Sequence, residues 1–148
     1  MVTEVATWTL HDMMIPAGKT AKLVKAVNPF DAEFRISEIC DKLKFVKPTP
    51  VIMLAGAMTQ RAGKILAGAC RAAFRTDACI IDSGIGSGIE KFCLRKNVTL
   101  IGVAPEKEIA YPRINPTVRK ENELTNGHTH FILMGDNQER PFDWGEET

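Results

Sequence analysis

The sequence has no excess of charge of one sign. Its 148 residues include 19 basic and 18 acidic side chains, which give a formal net charge of +1 at pH 7. A balanced charge provides no general attraction to nucleic acid or to an anionic membrane surface. Neither is therefore expected as a partner, and any anionic ligand must be held by local groups.

Long apolar runs are also missing. The longest, at residues 51–57 and 98–105, are far shorter than the roughly 20 residues that a membrane-spanning helix needs. The first residues lack the basic and then apolar segments of a secretory signal. We therefore expect a cytoplasmic protein, or the cytoplasmic piece of a longer one, without direct membrane insertion.

The sequence has few cysteines, and they are far apart from one another. None of the four cysteines belongs to a C-x-x-C pair, so the sequence suggests neither a disulfide framework nor a zinc knuckle. Buried free thiols are the expectation. The four are Cys40, Cys70, Cys79 and Cys93.

From residue 50 onward, apolar runs alternate with glycines and helical patterns. We predict strands at 51–55, 78–82, 98–103 and 130–134, with helices at about 60–75 and 89–96. Strands that alternate with helices pair in parallel through right-handed crossovers. The small residues of the first of these helices predict close packing on a sheet. The predicted fold is therefore α/β, with a Rossmann-like, doubly wound, mostly parallel sheet.

The first 28 residues have a different pattern. Two β-type runs, 4–10 and 21–27, flank turn-forming residues at 15–18 and predict an N-terminal hairpin at a sheet edge. A helix with an apolar stripe through Ile36, Ile39 and Leu43 follows Asp31, its expected N-cap, and must end before Pro48. We expect one compact domain, with the hairpin at 1–28 and the Rossmann-like part at 29–148.

A glycine-rich turn is the most informative local motif. Ligands bind outside the carboxyl ends of parallel strands, and the loops expected there are 56–60, 83–88, 104–111 and the approach to His130. Gly84, Gly86 and Gly88 lie between an apolar strand and a helix, where backbone N–H groups can hold phosphate. The full dinucleotide-binding pattern is not matched, because position 89 is isoleucine. A tight structural turn remains the alternative.

Other catalytic and metal motifs are absent or incomplete. Residues 17–20 end like a Walker A loop, but Met13 stands where its first glycine would be, and no G-x-S-x-G elbow is present. His128 and His130 could share a metal, yet no third ligand is evident. A hydrogen-bonded or ligand-contacting histidine is the alternative. We expect no catalytic residue of these classes, no metal and no cofactor.

Four segments together resemble a known family. They are VIMLAGAM at 51–58, DSGIGSG at 82–88, IGVAPE at 101–106 and NGHTHFIL at 126–133. Their order and spacing are similar to those of the TRPM-type SLOG domain, found in bacterial proteins and in the N-terminal cytosolic region of melastatin-type TRP channels. The resemblance covers about residues 29–145. Family domains continue with a further helix and strand, so we expect a short version or a C-terminally truncated fragment.

The resemblance implies a sensor for nucleotide-derived ligands, such as ADP-ribose or a related NAD metabolite, that signals to an effector. Carried over by position, its ligand-binding residues would be Gly56, Ala57, Met58, Ser83, Gly84, Ser87, Ala104, Pro105, Glu106, Tyr111, His128 and Thr129. The glycine-rich turn adds Gly86 and Gly88 as ligand-binding residues. An effector or a membrane domain, and a second copy of the chain, are the candidate protein partners.

Departures from the family pattern leave other functions open. Ala57 and Ser83 stand where the family usually has glycine, and each added Cβ narrows the space for a pyrophosphate. A phosphoribohydrolase-like enzyme and a scaffold with a degenerate pocket therefore remain alternatives. A diphosphate also needs cations. Among Arg61, Lys64, Arg113, Arg119 and Lys120, we favour Arg113 and Arg119.

Overall fold

A computed structural model describes residues 8–15, 19–26, 36–45, 49–55, 60–86, 88–93, 96–112 and 122–135. The strands are β1 (Trp8–Met14), β2 (Thr20–Ala26), β3 (Val51–Met53), β4 (Cys79–Asp82), β5 (Leu100–Pro105) and β6 (His130–Met134). The helices are α1 (Ile36–Lys42), α2 (Gly63–Thr76) and α3 (Ile89–Cys93), with 3₁₀ turns at Gln60–Ala62 and Glu106–Glu108.

The six strands form one sheet in the order β1-β2-β6-β5-β4-β3. Only the β1–β2 pair is antiparallel, and the other four pairs are parallel. After β2 the chain crosses to β3, which is the opposite edge strand of the sheet. The strands β4, β5 and β6 then follow in order back toward β2. Because right-handed crossovers in opposite directions cover opposite faces, α1 lies on one face and α2 with α3 on the other. The predicted Rossmann-like, doubly wound sheet with an N-terminal hairpin is confirmed.

Side-chain packing follows the same division. On one face, Leu66 and Cys70 of α2 pack against Ile80 and Leu100 of the sheet. On the other face, Ile39 of α1 lies in a separate cluster with other sheet residues. In the predicted apolar stripe of α1, Ile39 is buried, whereas Ile36 at the start of the helix is 51% exposed.

The ends of two strands differ from the sequence prediction. β1 continues to Met14, four residues beyond the predicted end, and its polar Asp12 pairs with Lys22 across the hairpin at 2.5 Å. An edge strand can carry such polar side chains because one side faces solvent. β5 begins at Leu100, where its pairing with Ile80 starts, two residues later than predicted.

The prediction that the glycines of α2 pack closely on the sheet was wrong for Gly68. A Cβ built at Gly68 would meet no atom within 4 Å, and one at Gly63 would meet only Phe92, at 3.9 Å. The residues of α2 that contact the core are Leu66, Cys70 and Ala73. Small size at Gly68 is therefore not needed for helix–sheet contact.

All four cysteines are free. Three are buried, and Cys40 is partly buried. Burial raises the pKa of the Cys93 thiol to about 12, so the thiolate is disfavoured at neutral pH. In the described part of the chain, no helix has the length and apolar character to cross a membrane.

Candidate functional site

The glycine-rich turn leaves β4 at the carboxyl edge of the sheet. Gly84, Gly86 and Gly88 have φ values of +72°, +63° and +76°. Residues with a Cβ rarely adopt these values, so the backbone of the turn requires glycine at all three positions.

The three glycines have different surroundings. A Cβ on Gly84 would lie 3.0 Å from the Cα of Gly102 and 3.0 Å from the Phe131 ring. A Cβ on Gly86 or Gly88 would meet no described atom within 4 Å. Gly84 is therefore packed against the sheet, whereas the backbone at Gly86 and Gly88 borders open space.

Ser83 uses its hydroxyl group within the turn. Its Oγ donates to the carbonyl of Ile85 at 3.1 Å and accepts from the N–H of Ile85 at 3.4 Å. The side chain that replaces a family glycine is thus folded into the turn. Its contact with a ligand stays a prediction.

A buried polar network fixes the base of the turn. Asp82 Oδ1 accepts the N–H of Gly84 at 2.8 Å and lies 2.6 Å from His128 Nε2. The other ring nitrogen, Nδ1, is hydrogen-bonded to the Thr125 hydroxyl. The backbone N–H of Thr125 in turn donates to the Gly84 carbonyl at 2.9 Å. Both backbone groups of Gly84 are therefore used by the protein itself.

His128 is only 2% exposed, and its ring stacks on Phe131 with centroids 5.4 Å apart. Because both ring nitrogens have protein partners, a ligand could reach His128 only by displacing one of them. Ligand contact by His128 stays a prediction, and the observed contacts are structural. The described residues contain no group of three or more His, Cys, Asp or Glu side chains placed to hold a metal ion.

A second cluster lies beyond the end of β5. Glu106 Oε1 is 2.6 Å from the Lys25 ammonium and accepts a hydrogen bond from the Tyr111 hydroxyl at 3.4 Å. The Lys25 nitrogen lies 5.4 Å from the centre of the Tyr111 ring, within cation–π range. The structure therefore brings together the predicted residues Glu106 and Tyr111.

The electrostatics of this cluster favour a charged lysine. Hydrogen bonds to Glu106 and then to Tyr111 raise the pKa of Lys25 to about 12, against a smaller lowering by burial. Lys25 therefore stays protonated throughout the physiological range.

Three other residues predicted to bind a ligand are either buried or distant from the carboxyl edge of the sheet. Ala104 and Pro105 are both buried and present almost no surface to a ligand. Thr129 lies at the amino end of β5, where its hydroxyl donates to the Leu100 carbonyl at 2.9 Å. The approach to His130 contacts the carboxyl end of β4 through Thr125 and His128, and it then enters β6 at the amino end of that strand. Ligand contacts at Ala104, Pro105 and Thr129 stay predictions.

Part of the predicted site lies outside the described residues. These positions are Gly56, Ala57, Met58, Ser87, Arg113 and Arg119.

Two of the cations considered from the sequence line a cavity. It measures about 570 Å³, lies between α2 and α3, and is bordered by Arg61, Gly63, Lys64, Ala67 and Phe92. The lining of the cavity thus combines two basic side chains with an aromatic ring.

Glu90, the second residue of α3, packs beneath the loop that leads to His128. A Cβ on Gly127 would lie 2.2 Å from the Cβ of Glu90, so only glycine fits there. Glu90 Oε2 is buried, and the described part of the chain offers it no hydrogen-bond partner. The close approach of Glu90 explains why position 127 is glycine.

Three residues that organise these two places were not predicted from the sequence. Asp82 and Thr125 anchor the glycine turn, and Lys25 holds Glu106. For Lys25 a pattern was available, since Ala21, Leu23 and Lys25 share one face of β2 and the first two are buried. A lysine in phase with inward-facing residues indicates a partner.

Residues 49–148 match the family model described as "SLOG in TRPM, prokaryote". A search of curated proteins gave no match. The family match spans well over half of the chain and includes the glycine turn, Glu106 and the His128 segment. The chain therefore belongs to the family of prokaryotic SLOG domains of the TRPM type.

Proposed function

We propose that this SLOG domain binds a nucleotide-derived small molecule at the carboxyl edge of its sheet. The observation that carries the proposal is the open glycine turn. Gly86 and Gly88 have left-handed backbones that border open space, and a buried network holds the base of the turn. Successive N–H groups in such a turn form a concave site for an anionic oxygen.

Neighbouring side chains supply the other contacts that a nucleotide needs. Glu106 offers a carboxylate to hydroxyl groups, and Tyr111, which is 42% exposed, offers an aromatic ring. Together with the phosphate-binding turn, these groups suit ADP-ribose or a related NAD metabolite. The domain would act as a sensor in the cytoplasm, and ligand binding would be passed to an effector or to a second copy of the chain.

The proposed unit includes both parts of the chain. The hairpin at 1–28 would form one compact domain with the Rossmann-like part at 29–148. Its support is the five-residue parallel pairing of β2 with β6, which joins the hairpin to the sheet.

A panel of ligands tests the proposal. Thermal unfolding would be followed with ADP-ribose, its cyclic isomers, NAD, AMP and a cytokinin ribotide. A ligand at 100 times its Kd stabilises the folded state by about 2.7 kcal/mol. We expect at least one diphosphate-containing member to raise the Tm. No shift with any member would favour a scaffold without ligand.

Two glycine variants locate the binding site. Gly86→Val should abolish the ligand-induced shift, because the new side chain occupies the open space and disfavours the positive φ. Gly68→Val in α2 is the matched control, since that position also has free space but lies in a helix. Circular dichroism would establish that both variants fold. Undiminished binding by folded Gly86→Val would assign the turn a structural role only.

A base-releasing enzyme is the second candidate. Its support is Glu90, an acidic residue two positions after Gly88 whose Oε2 has no hydrogen-bond partner among the residues that the structure describes. We expect no base release from AMP or a cytokinin ribotide, because this oxygen is buried away from solvent. Chromatographic detection of free base that disappears in Glu90→Gln would instead establish the enzyme.

A further inference from the structure

The N-terminal hairpin brings a residue to the site that the family match does not include. The match begins at residue 49, whereas Lys25 belongs to β2. Lys25 lies next to last in β2, opposite Leu133 of β6, and its side chain reaches Glu106 two strands away. The hairpin therefore contacts the carboxyl edge directly.

Contacts on Glu106 are unevenly divided between its two oxygens. Lys25 and Tyr111 both bind Oε1, at 2.6 and 3.4 Å. Among the described residues, Oε2 has no such contact and remains available as an acceptor. The side chain of Glu106 is 23% exposed, so this acceptor is oriented and still partly open to solvent.

Tyr111 completes a surface with two chemical properties. Its ring is 42% exposed, while its hydroxyl is bound to Glu106 and its face lies near the Lys25 ammonium. A fixed ring beside a free carboxylate oxygen can contact a flat group and accept hydrogen bonds from neighbouring hydroxyls at once.

We propose that Glu106 and Tyr111 recognise the unsubstituted ribose diol of the ligand, and that Lys25 of the hairpin is the positioning residue that presets both. This inference rests on the proposed function, since it assumes a nucleotide in the site. Glu106 Oε2 accepts the ribose hydroxyls, as acidic residues do in other Rossmann-like nucleotide sites. Lys25 occupies Oε1 and keeps the carboxylate in place.

The assignment makes a specific statement about ligand choice. A carboxylate attracts hydroxyl donors but repels a phosphate group attached to the same sugar. The site should therefore prefer a nucleotide with a free 2′-hydroxyl over its 2′-phosphate and over its 2′-deoxy form. NAD-type metabolites would be bound in preference to NADP-type metabolites.

Calorimetry with three probes tests this preference in the full chain. The probes are ADP-ribose, ADP-ribose 2′-phosphate and 2′-deoxy-ADP-ribose. For the wild type we expect ADP-ribose to bind about 10- to 150-fold more tightly than the deoxy probe, the range for a hydrogen bond to a charged group. In Glu106→Gln, the preference over the 2′-phosphate should fall by about 10-fold or more. Glu108→Gln is the matched control, because Glu108 lies next to the site and its carboxylate is 3.8 Å from the Lys107 ammonium, away from Lys25 and Tyr111.

Lys25 variants separate positioning from charge. Lys25→Met should weaken ADP-ribose binding but keep or increase the rejection of the 2′-phosphate, because Glu106 loses its counterion. Lys25→Arg should restore binding, since it keeps both the charge and the donors. Lys22→Met removes the same charge from the opposite face of β2 and should leave all three affinities unchanged.

The outcomes distinguish the two proposals. If the wild type binds none of the three probes and no other member of the panel, the proposed function fails, and this inference fails with it. If the wild type binds ADP-ribose but Glu106→Gln, Lys25→Met and the controls show the same preferences, the diol assignment alone is wrong.

Discussion

The carboxyl edge of the sheet contains two regions that are built differently. The glycine turn after β4 rests on buried groups, with Asp82 6% and His128 2% exposed. The cluster beyond β5 consists of partly exposed side chains, with Lys25 33% and Glu106 23% exposed. The glycine turn offers backbone groups to a ligand, whereas the cluster beyond β5 offers charged side chains and the Tyr111 ring.

This difference predicts that the glycine turn and its buried network contribute mainly to stability, whereas the cluster beyond β5 contributes mainly to ligand specificity. Breaking a buried polar network leaves unpaired groups in a medium of low dielectric constant, which is expensive. Breaking a partly exposed ion pair has little effect on folding, because water replaces the lost partner. Substitutions in the two regions should therefore differ more in their effect on unfolding than in their effect on binding.

The largest expected effect is at His128. His128→Ala removes a buried imidazole that is hydrogen-bonded to both Asp82 and Thr125 and should lower the free energy of unfolding by about 3–5 kcal/mol. His11→Ala is the control, because the His11 ring is exposed and is hydrogen-bonded to the Thr9 hydroxyl at 2.9 Å. It should change stability by less than about 0.5 kcal/mol. Urea denaturation would measure both, and equal small losses would contradict a stabilising role for the network.

A second prediction concerns the packing beneath the turn. A Cβ on Gly102 would lie 2.6 Å from the Cα of Gly84, which is backbone and cannot move aside cheaply. Gly102→Ala should therefore reduce the free energy of unfolding by about 3 kcal/mol. Gly68→Ala should instead raise it by about 0.5–1 kcal/mol, because a helical glycine with free space gains from alanine. Chemical denaturation of the two variants should give shifts of opposite sign.

A substitution in the second region, the cluster beyond β5, should affect stability much less and ligand affinity more. Lys25→Met should reduce the free energy of unfolding by about 1 kcal/mol or less, because the ion pair with Glu106 is partly exposed. Its effect on nucleotide affinity should be larger than its effect on stability. A loss of stability comparable to that of His128→Ala would show that the two regions are not distinct.

The smallest expected effect is a pH dependence at the amino end of β6. Burial, and then the charge of Lys22, lower the pKa of His130 below 6.5. The unfolded chain then binds more protons than the folded chain, so stability falls as the pH drops below about 6.5. His130→Gln should show a weaker fall over this range. Parallel curves for the two proteins in denaturation experiments at several pH values would rule out this contribution.

The order of strands and helices could be predicted from the sequence by itself. Apolar runs separated by glycines, and the turn residues near 15–18, were sufficient for the parallel sheet and the hairpin. Local patterns determine these features because burial and backbone conformation depend on neighbouring residues. The glycine turn belongs to this class, since its positive φ values at Gly84, Gly86 and Gly88 require glycine.

Only the tertiary structure decided which polar side chains meet. Asp82 and His128 are 46 residues apart in the sequence, and Lys25 of β2 meets Glu106, which follows β5, although these two strands belong to distant parts of the chain and are separated in the sheet by β6. Their pairing depends on strand order and register, which bring β2 beside β6 and β6 beside β5. Hydrophobic periodicity fixes which face a residue occupies but contains no information about the partner across the sheet. The buried role of His128 and the place of Lys25 in the site therefore became visible only once the strands were paired.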